Sequence, residues 1–410
     1  MLYVGVGKTN ITAFKMGVGM LGYGMYFNIV KGVETELYAR AFMVEDKVSG
    51  NRTVFVNAEI AFITIAIKRG VIKKLTRKHP DLGLTETDVF LTAQHTHSAP
   101  GGYSHYGLYN MTIPGFVPEV YQQIVDGIVE AIVLASNNMV GSKVKVGSSS
   151  FDDLSEVAFN RSLKAYNRNA EVKKEIVEQE SHLAIDRGLT MLYFETEDGK
   201  PLGSINWFGV HSTSISNDNH RICSDNKGYA AHYMEESMMK KGYPEFVGAF
   251  AQKAAGDVSP NWIFDNKKKW TRGKFEDDFE SAKFNGSLQH EVAMKAMENA
   301  RSTNALNPFI DNGLAYVDMS CVVLDPEFAH DDKDARTGPA CHGVSFFAGT
   351  KEGPGMDPIL VTLATALAKG IRTTELAKAK LMSPDRAAPI YDKYRIQGKK
   401  DILVEAAECK

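Results

Sequence analysis

The chain predicts an α/β or α+β fold, with mixed sheets flanked by helices in a single large unit. Three observations carry that reading. Runs rich in β-branched and aromatic residues alternate with stretches of helical periodicity, no internal repeat interrupts them, and no low-complexity linker divides the 410 residues. A chain of this length can bury one large core or two ordinary ones.

In order, Leu2 to Val6, Thr35 to Val44, Arg52 to Val56 and Asp88 to Thr92 read as strands. Ala58 to His79 carries apolar residues at helical spacing and ends in Arg, Lys and His, which suit the negative end of a helix dipole. Val117 to Ser136 is a second helix, opened by Pro118, whose missing N–H costs nothing in a first turn. Strands follow at Ser142 to Val146, Thr190 to Glu195 and Gly203 to Val210. Lys227 to Lys241 and Asp278 to Arg301 are helices, with a short apolar strand from Glu245 to Ala251 between them. Gly313 to Leu324 reads as a late strand pair, and the Ala- and Leu-rich stretch from Val361 to Lys380 as a helix.

Composition excludes several classes. Net charge is −3, so no basic surface advertises nucleic acid. The longest apolar stretches, 58–67 and 124–135, fall short of the roughly 20 residues that cross a bilayer. Cys223, Cys321, Cys341 and Cys409 lie far apart without a CxxC pair, which is no zinc-finger pattern. Residues 1–7 lack a basic leader region and read as a first strand, so the chain is expected to be cytoplasmic as it stands, and secreted or periplasmic if a leader was removed.

The chemistry gathers at strand ends. The strand ending at Thr92 runs into His95-Thr96-His97-Ser98, followed by Gly101 and Gly102. Histidines at i and i+2 point the same way if the backbone stays extended, and neutral imidazole is a common zinc ligand. His211 closes the apolar strand that begins at Ile205, and must meet His95 through folding. Gly256-Asp257-Val258-Ser259-Pro260-Asn261 follows another apolar strand, and places a serine on a sharp turn with its hydroxyl expected to be exposed. Pro260 removes the backbone N–H after Ser259, so the oxyanion donor of an α/β-hydrolase elbow is absent. Taken one at a time, each motif also fits ordinary turns and strand ends.

Taken together and in this order, they resemble the neutral ceramidase family, zinc-dependent amidases that split ceramide into sphingosine and a fatty acid. The resemblance runs through Leu21-Gly22-Tyr23-Gly24, the segment Leu37 to Phe42, His95 to Ser98, Asn160-Arg161-Ser162, Asn206 to His211, Ser224-Asp225-Asn226, Gly256 to Asn261 and Ser345 to Thr350. It implies zinc (Zn2+) as cofactor, His95 and His211 as metal ligands, Ser259 as the catalytic serine, His97 as an acid/base or supporting histidine, and Arg161 within the site. Ser259 could attack the substrate carbonyl or only position it. The implied partner is ceramide or a similar N-acyl lipid, met through peripheral contact with a membrane. The segment 17–30 is a candidate wall for a lipid pocket and equally a candidate for a buried glycine-rich core loop.

The sequence departs from the family in places. Position 99 is alanine where glycine is usual, and Ala254-Ala255 replaces a more polar pair. The resemblance also implies two further zinc ligands, a Glu in a Pro-Gly-Glu motif and a later Tyr, and this sequence contains no Pro-Gly-Glu. Tyr391, Tyr394 and Glu405 have the chemistry to stand in, without a spacing that supports them. The expected domain is therefore 1–410, a ceramidase-like catalytic domain that is C-terminally incomplete and lacks an immunoglobulin-like domain. Two alternatives accompany this reading: a related hydrolase of another N-acyl or ester lipid, and a ceramidase-like fragment without activity.

Overall fold

The computed structural model describes residues 1–307, 309–329 and 332–406, so Cys409 lies outside the described residues. The chain forms two compact units. The larger comprises Met1–His105, Tyr109–Asp265 and Thr271–Gly313, and the smaller Tyr106–Leu108, Asn266–Trp270 and Leu314–Lys410.

The larger unit is built on an eight-stranded mixed sheet. Its strands are β1 (Leu2–Asn10), β2 (Tyr38–Asp46), β3 (Arg52–Ala58), β4 (Val89–Ala93), β5 (Val140–Ser150), β6 (Gly188–Thr196), β7 (Pro201–Phe208) and β8 (Val247–Gln252). They lie in the order β8-β7-β6-β5-β1-β2-β3-β4. The two outermost pairings, β7 with β8 and β3 with β4, are parallel, and the five between them antiparallel.

The sheet folds across itself. Asn57 Nδ2 in β3 donates to Phe250 O in β8, 3.2 Å, and Gln252 Nε2 reaches Gln94 O just past β4, 2.9 Å. Alternation along the strands explains the layers. Phe42, Phe194, Ile205 and Ala249 point into a core between the two halves. Ala39, Ala41 and Met43 face helices α1 (Ile65–Lys78) and α2 (Pro118–Asn137). On the other half, Met191, Tyr193, Phe208 and Phe250 face α3 (Asp225–Lys240) and α4 (Asp278–Arg301). The result is helix, sheet, sheet, helix, the mixed-sheet α/β class read from the sequence.

Local chemistry sets the ends of these elements. Thr64 caps α1 by accepting from Ile67 N, and Asp277 caps α4 by accepting from Phe279 and Glu280 N. Gly5 and Gly7 let α2 lie against β1, since an added Cβ would come within 1.8 Å of Ala135 O and 2.2 Å of Ala131 O.

Two expectations change. Residues 58–64 are not helical: Ala58 ends β3, and the helix starts only after the Thr64 cap. Gly313 to Leu324 forms no strand pair; its one ladder contact is the bridge between Val323 and Arg336, and Val317, Met319 and Val323 stand exposed. Strand propensity without a pairing partner buries nothing.

The smaller unit contains α5 (Pro358–Ala379) and α6 (Pro384–Gln397). Tyr394 donates to Glu375 at 2.7 Å, and Glu405 pairs with Lys393 at 2.5 Å. Both residues have structural partners of their own. Cys223, Cys321 and Cys341 are free thiols.

Candidate metal centre

Three strand ends deliver the site. His95 follows β4, His211 follows β7, and Gly256 to Ser259 follow β8, so the parallel edge pairs place their C-terminal ends together where the sheet folds over. Thr96 bridges Ser212, and His97 N donates to Ser212 O, which stitches the first two loops to each other. His211 N donates to Val258 O, which ties in the third.

His95, His97 and His211 form a group whose donor atoms lie within 4.8 Å of one another. The ring centroids are 4.7 Å apart for His95 and His97, and 4.9 Å for His95 and His211. The i, i+2 pair does not meet along an extended strand as the spacing suggested. His95 sits at φ 78°, a left-handed conformation unusual outside glycine, and the turn brings its Nε2 within 3.2 Å of His97 Nε2. Such strain costs on the order of 1–3 kcal/mol and persists where the surroundings enforce it. Here His95 N donates to Ile60 O, and its Nδ1 donates to Ala61 O at 2.6 Å.

The second nitrogen fixes the chemistry. A carbonyl only accepts, so the contacts of His95 Nδ1 with Ala61 O and of His211 Nδ1 with Ala255 O (2.5 Å) place the protons on Nδ1. Both rings therefore turn an Nε2 lone pair into the cluster, the arrangement that orients metal-ligating histidines. His97 is buried, and its Nδ1 has no hydrogen-bond partner. Tyr23 packs edge-on against His97 at 4.7 Å and donates to Ile215 O. Gly22, at φ 140°, leaves room for that ring, because a Cβ there would lie 2.4 Å from His97 Cγ. Sequence reasoning missed the role of Gly22 and Tyr23 as the cover of His97; their place in a quoted motif was the available signal.

Arg161 belongs to the same region. Its guanidinium donates to Gly256 O at 2.8 Å, and its N–H to Asp257 O at 2.8 Å. Burial is the main cause that pushes all three imidazoles below their usual range, and the charge of Arg161 adds to it in each case. His211 falls to about 3. The rings are thus neutral near pH 7, the state that binds a cation.

That shift predicts a pH dependence for the metal-free protein. Unfolded imidazoles take up protons near pH 6.5, whereas the folded rings resist until far lower pH. The share that His211 contributes should therefore be full above about 6.5 and fall as pH drops toward about 3, by up to about 1.4 kcal/mol per pH unit, and His95 and His97 act in the same direction. Urea unfolding across that range checks it; a flat profile would contradict it.

Ser259 is fully buried rather than exposed, because it pairs with Phe159 in a two-residue ladder. Its Oγ accepts from Asn261 N at 2.9 Å and donates to Asn261 O at 3.2 Å. Among the described residues, no hydrogen bond joins Ser259 to His97. Ser259 is held to the site through Val258, which bonds His211, and through Asn261, whose Nδ2 donates to Thr213 O at 2.6 Å.

Beside the histidines opens a cavity of about 410 Å³. Phe62, Ile63 and Leu91 give it an apolar wall, and His95, His211 and Gly256 line the chemical side. No helix among the described residues is long and apolar enough to cross a membrane.

Comparison with known proteins agrees with this layout. The family described as neutral/alkaline non-lysosomal ceramidase, N-terminal, matches residues 2–410. The chain is 36% identical over 356 residues to the neutral ceramidase of Pseudomonas aeruginosa, covering 86% of this chain and 50% of that protein. It is 33% identical to the neutral ceramidase of Mycobacterium tuberculosis, covering 92% of this chain and 59% of the relative. A solved ceramidase complexed with C2 superposes with a TM-score of 0.76 at 31% identity, covering 100% of this chain and 59% of that one. The neutral ceramidase structure from Pseudomonas aeruginosa gives 0.69, covering 89% of this chain and 56% of that one. The chain thus spans between half and three-fifths of the length of these relatives. Because the family match runs from residue 2 to residue 410, the chain belongs to the neutral/alkaline non-lysosomal ceramidase family.

Proposed function

We propose that this chain carries the catalytic histidines of a zinc-dependent amidase that hydrolyses the N-acyl bond of ceramide, or of a closely similar N-acyl lipid, to sphingosine and a fatty acid. The observation that carries the reading is the convergence of two Nε2 lone pairs, from His95 and His211, with each Nδ1 locked on a backbone carbonyl. Two inward-facing imidazoles, with a third beside them and no carboxylate in the group, favour a borderline-soft ion such as zinc over calcium or magnesium. Zinc at that point supplies a Lewis acid for the amide carbonyl.

The remaining roles belong to side chains. His97 is assigned the proton-transfer role, as the histidine of the group whose Nδ1 is not locked on a backbone carbonyl. Arg161 adds a fixed positive charge that stabilises a developing oxyanion. Ser259, buried with its Oγ bonded to Asn261 both ways, is assigned the role of attacking or aligning the substrate once that bond is released. The wall of Phe62, Ile63 and Leu91 suits an acyl chain.

The test is zinc content per chain after dialysis into metal-free buffer, followed by hydrolysis of a ceramide and of a simple ester. Bound zinc together with a preference for ceramide is the expected result. A chain that holds no zinc, or that cleaves only the ester, overturns the reading.

A further inference from the structure

Three successive residues at the start of α3 are buried polar side chains: Asp225 and Asn226 at 0% exposure, and Lys227 at 1%. Such groups are normally surface residues, and each needs full hydrogen bonding to be tolerated in a core. Their bonds converge on one short segment, 208–215, which carries His211.

Lys227 Nζ donates to Phe208 O, 2.8 Å, at the end of β7. Asn226 Nδ2 donates to His211 O at 2.9 Å and to Ser214 Oγ at 3.0 Å. The carboxylate of Asp225 accepts from Ser214 N at 3.1 Å and from Ile215 N at 3.2 Å. The segment is therefore gripped before, at and after His211. Asp225 adopts φ 55°, which is the second left-handed non-glycine residue beside the site and puts its carboxylate under the loop. The platform is anchored in turn by α4, where Gln289 donates to Asn226 Oδ1 at 3.2 Å and accepts from Lys227 at 3.4 Å.

We propose that Asp225, Asn226 and Lys227 form a positioning platform that aims the His211 imidazole into the metal cluster. The proposal rests on the reading of His211 as a ligand, and it concerns residues that touch neither metal nor substrate. From the other side His211 itself is held by Ala255 O and Val258 O, and its neighbours by Gln252 at Val210 O, His97 at Ser212 O and Asn261 at Thr213 O, so the platform supplies the α3 half of a two-sided grip. Outer groups that orient a ligand are commonly worth 10–100-fold in metal affinity.

The test compares Asn226→Ala and Asn226→Asp with Thr9→Val, which removes a buried hydrogen bond to Gly127 O elsewhere in the fold. Asn226→Asp is isosteric and retains the acceptor for Gln289, but loses the donor to His211 O. Two quantities are measured: zinc affinity by chelator competition, and nitrogen-detected imidazole NMR of the metal-free protein.

Both Asn226 variants should bind zinc at least about tenfold more weakly. The His211 ring should lose its single Nδ1–H tautomer, while Thr9→Val lowers the melting temperature and leaves zinc affinity and the His211 signal as they were. If Asn226→Ala does not fold, Asn226→Asp carries the comparison. Variants with lower stability but wild-type zinc affinity and an unmoved His211 signal would show that the platform is structural only. A wild-type protein that binds no zinc would sink the metal reading, and the His211 signal would then decide the positioning claim by itself.

Discussion

On the zinc-amidase reading proposed above, replacing His211 with alanine should abolish metal binding and reduce amide hydrolysis to background. His211 supplies one of two lone pairs already locked toward the cluster by Nδ1 bonds to backbone, and nothing else on its segment can replace it. Loss of a direct ligand should exceed the 10–100-fold penalty typical of outer groups, so zinc affinity is expected to fall by at least about 100-fold. The same substitution has a second, opposite signature in the metal-free protein. Its folded-state pKa of about 3 makes His211 a source of acid instability, so the alanine variant should lose less stability between about pH 6 and 4 than the parent does. Chelator competition and acid unfolding measure the two effects separately. Unchanged zinc affinity would remove His211 from the ligand set, whatever happens to activity.

The sequence revealed the strands, and the sheet they build only in part. Most core strands and five of the six helices α1–α6 are legible because alternation and helical periodicity are local properties. The helix read from Ala58 begins instead at Ile65, since the apolar residues at 58–63 finish β3 and line the cavity. Thr64, a capping residue before the true start, was the overlooked signal. Helix α6 escaped because Pro389 lies within it, and an interior proline argues against a helix. The fold of the sheet across itself depends on contacts such as Asn57 with Phe250, 193 residues apart, which no local pattern announces.

At the site the residue types were readable and the geometry was not. Histidine at positions 95, 97 and 211 pointed to metal chemistry, and the structure brings the three rings together. The means differ from the expectation, because a left-handed turn at His95 does what an extended strand was expected to do. Burial of Ser259 was equally invisible, since it arises from pairing with Phe159, which lies 100 residues earlier. Ser224-Asp225-Asn226 stood out in the sequence only as part of the family resemblance, and the burial of Asp225, Asn226 and Lys227 beneath the His211 segment is visible only in the structure.

The largest stability effect is expected away from the histidines, at Arg40→Met. Arg40 is 2% exposed and lies between two carboxylates, with Nη1 at 2.5 Å from Glu59 Oε1 and Nε at 2.8 Å from Glu235 Oε1. Glu235 keeps a second cation, Lys8 at 2.6 Å, whereas Glu59 keeps only the backbone N–H of Tyr38. Burial already pushes the Glu59 carboxyl above its usual range, and without the guanidinium it must either stay charged in the core or take up a proton; breaking such a buried pair costs about 3–5 kcal/mol where it has been measured. An exposed ion pair would cost no more than about 1 kcal/mol. The damage should also reach the metal centre, because Glu59 leads directly into Ile60 and Ala61, the two carbonyls that hold His95. Adding Glu59→Gln and Glu235→Gln to Arg40→Met should recover much of the lost stability, since no unpaired carboxylate then remains in the core. If recovery in urea unfolding is accompanied by recovered zinc affinity, the cluster acts on the site through the Glu59 charge. If stability returns while zinc affinity does not, the guanidinium itself holds the end of β3 in place.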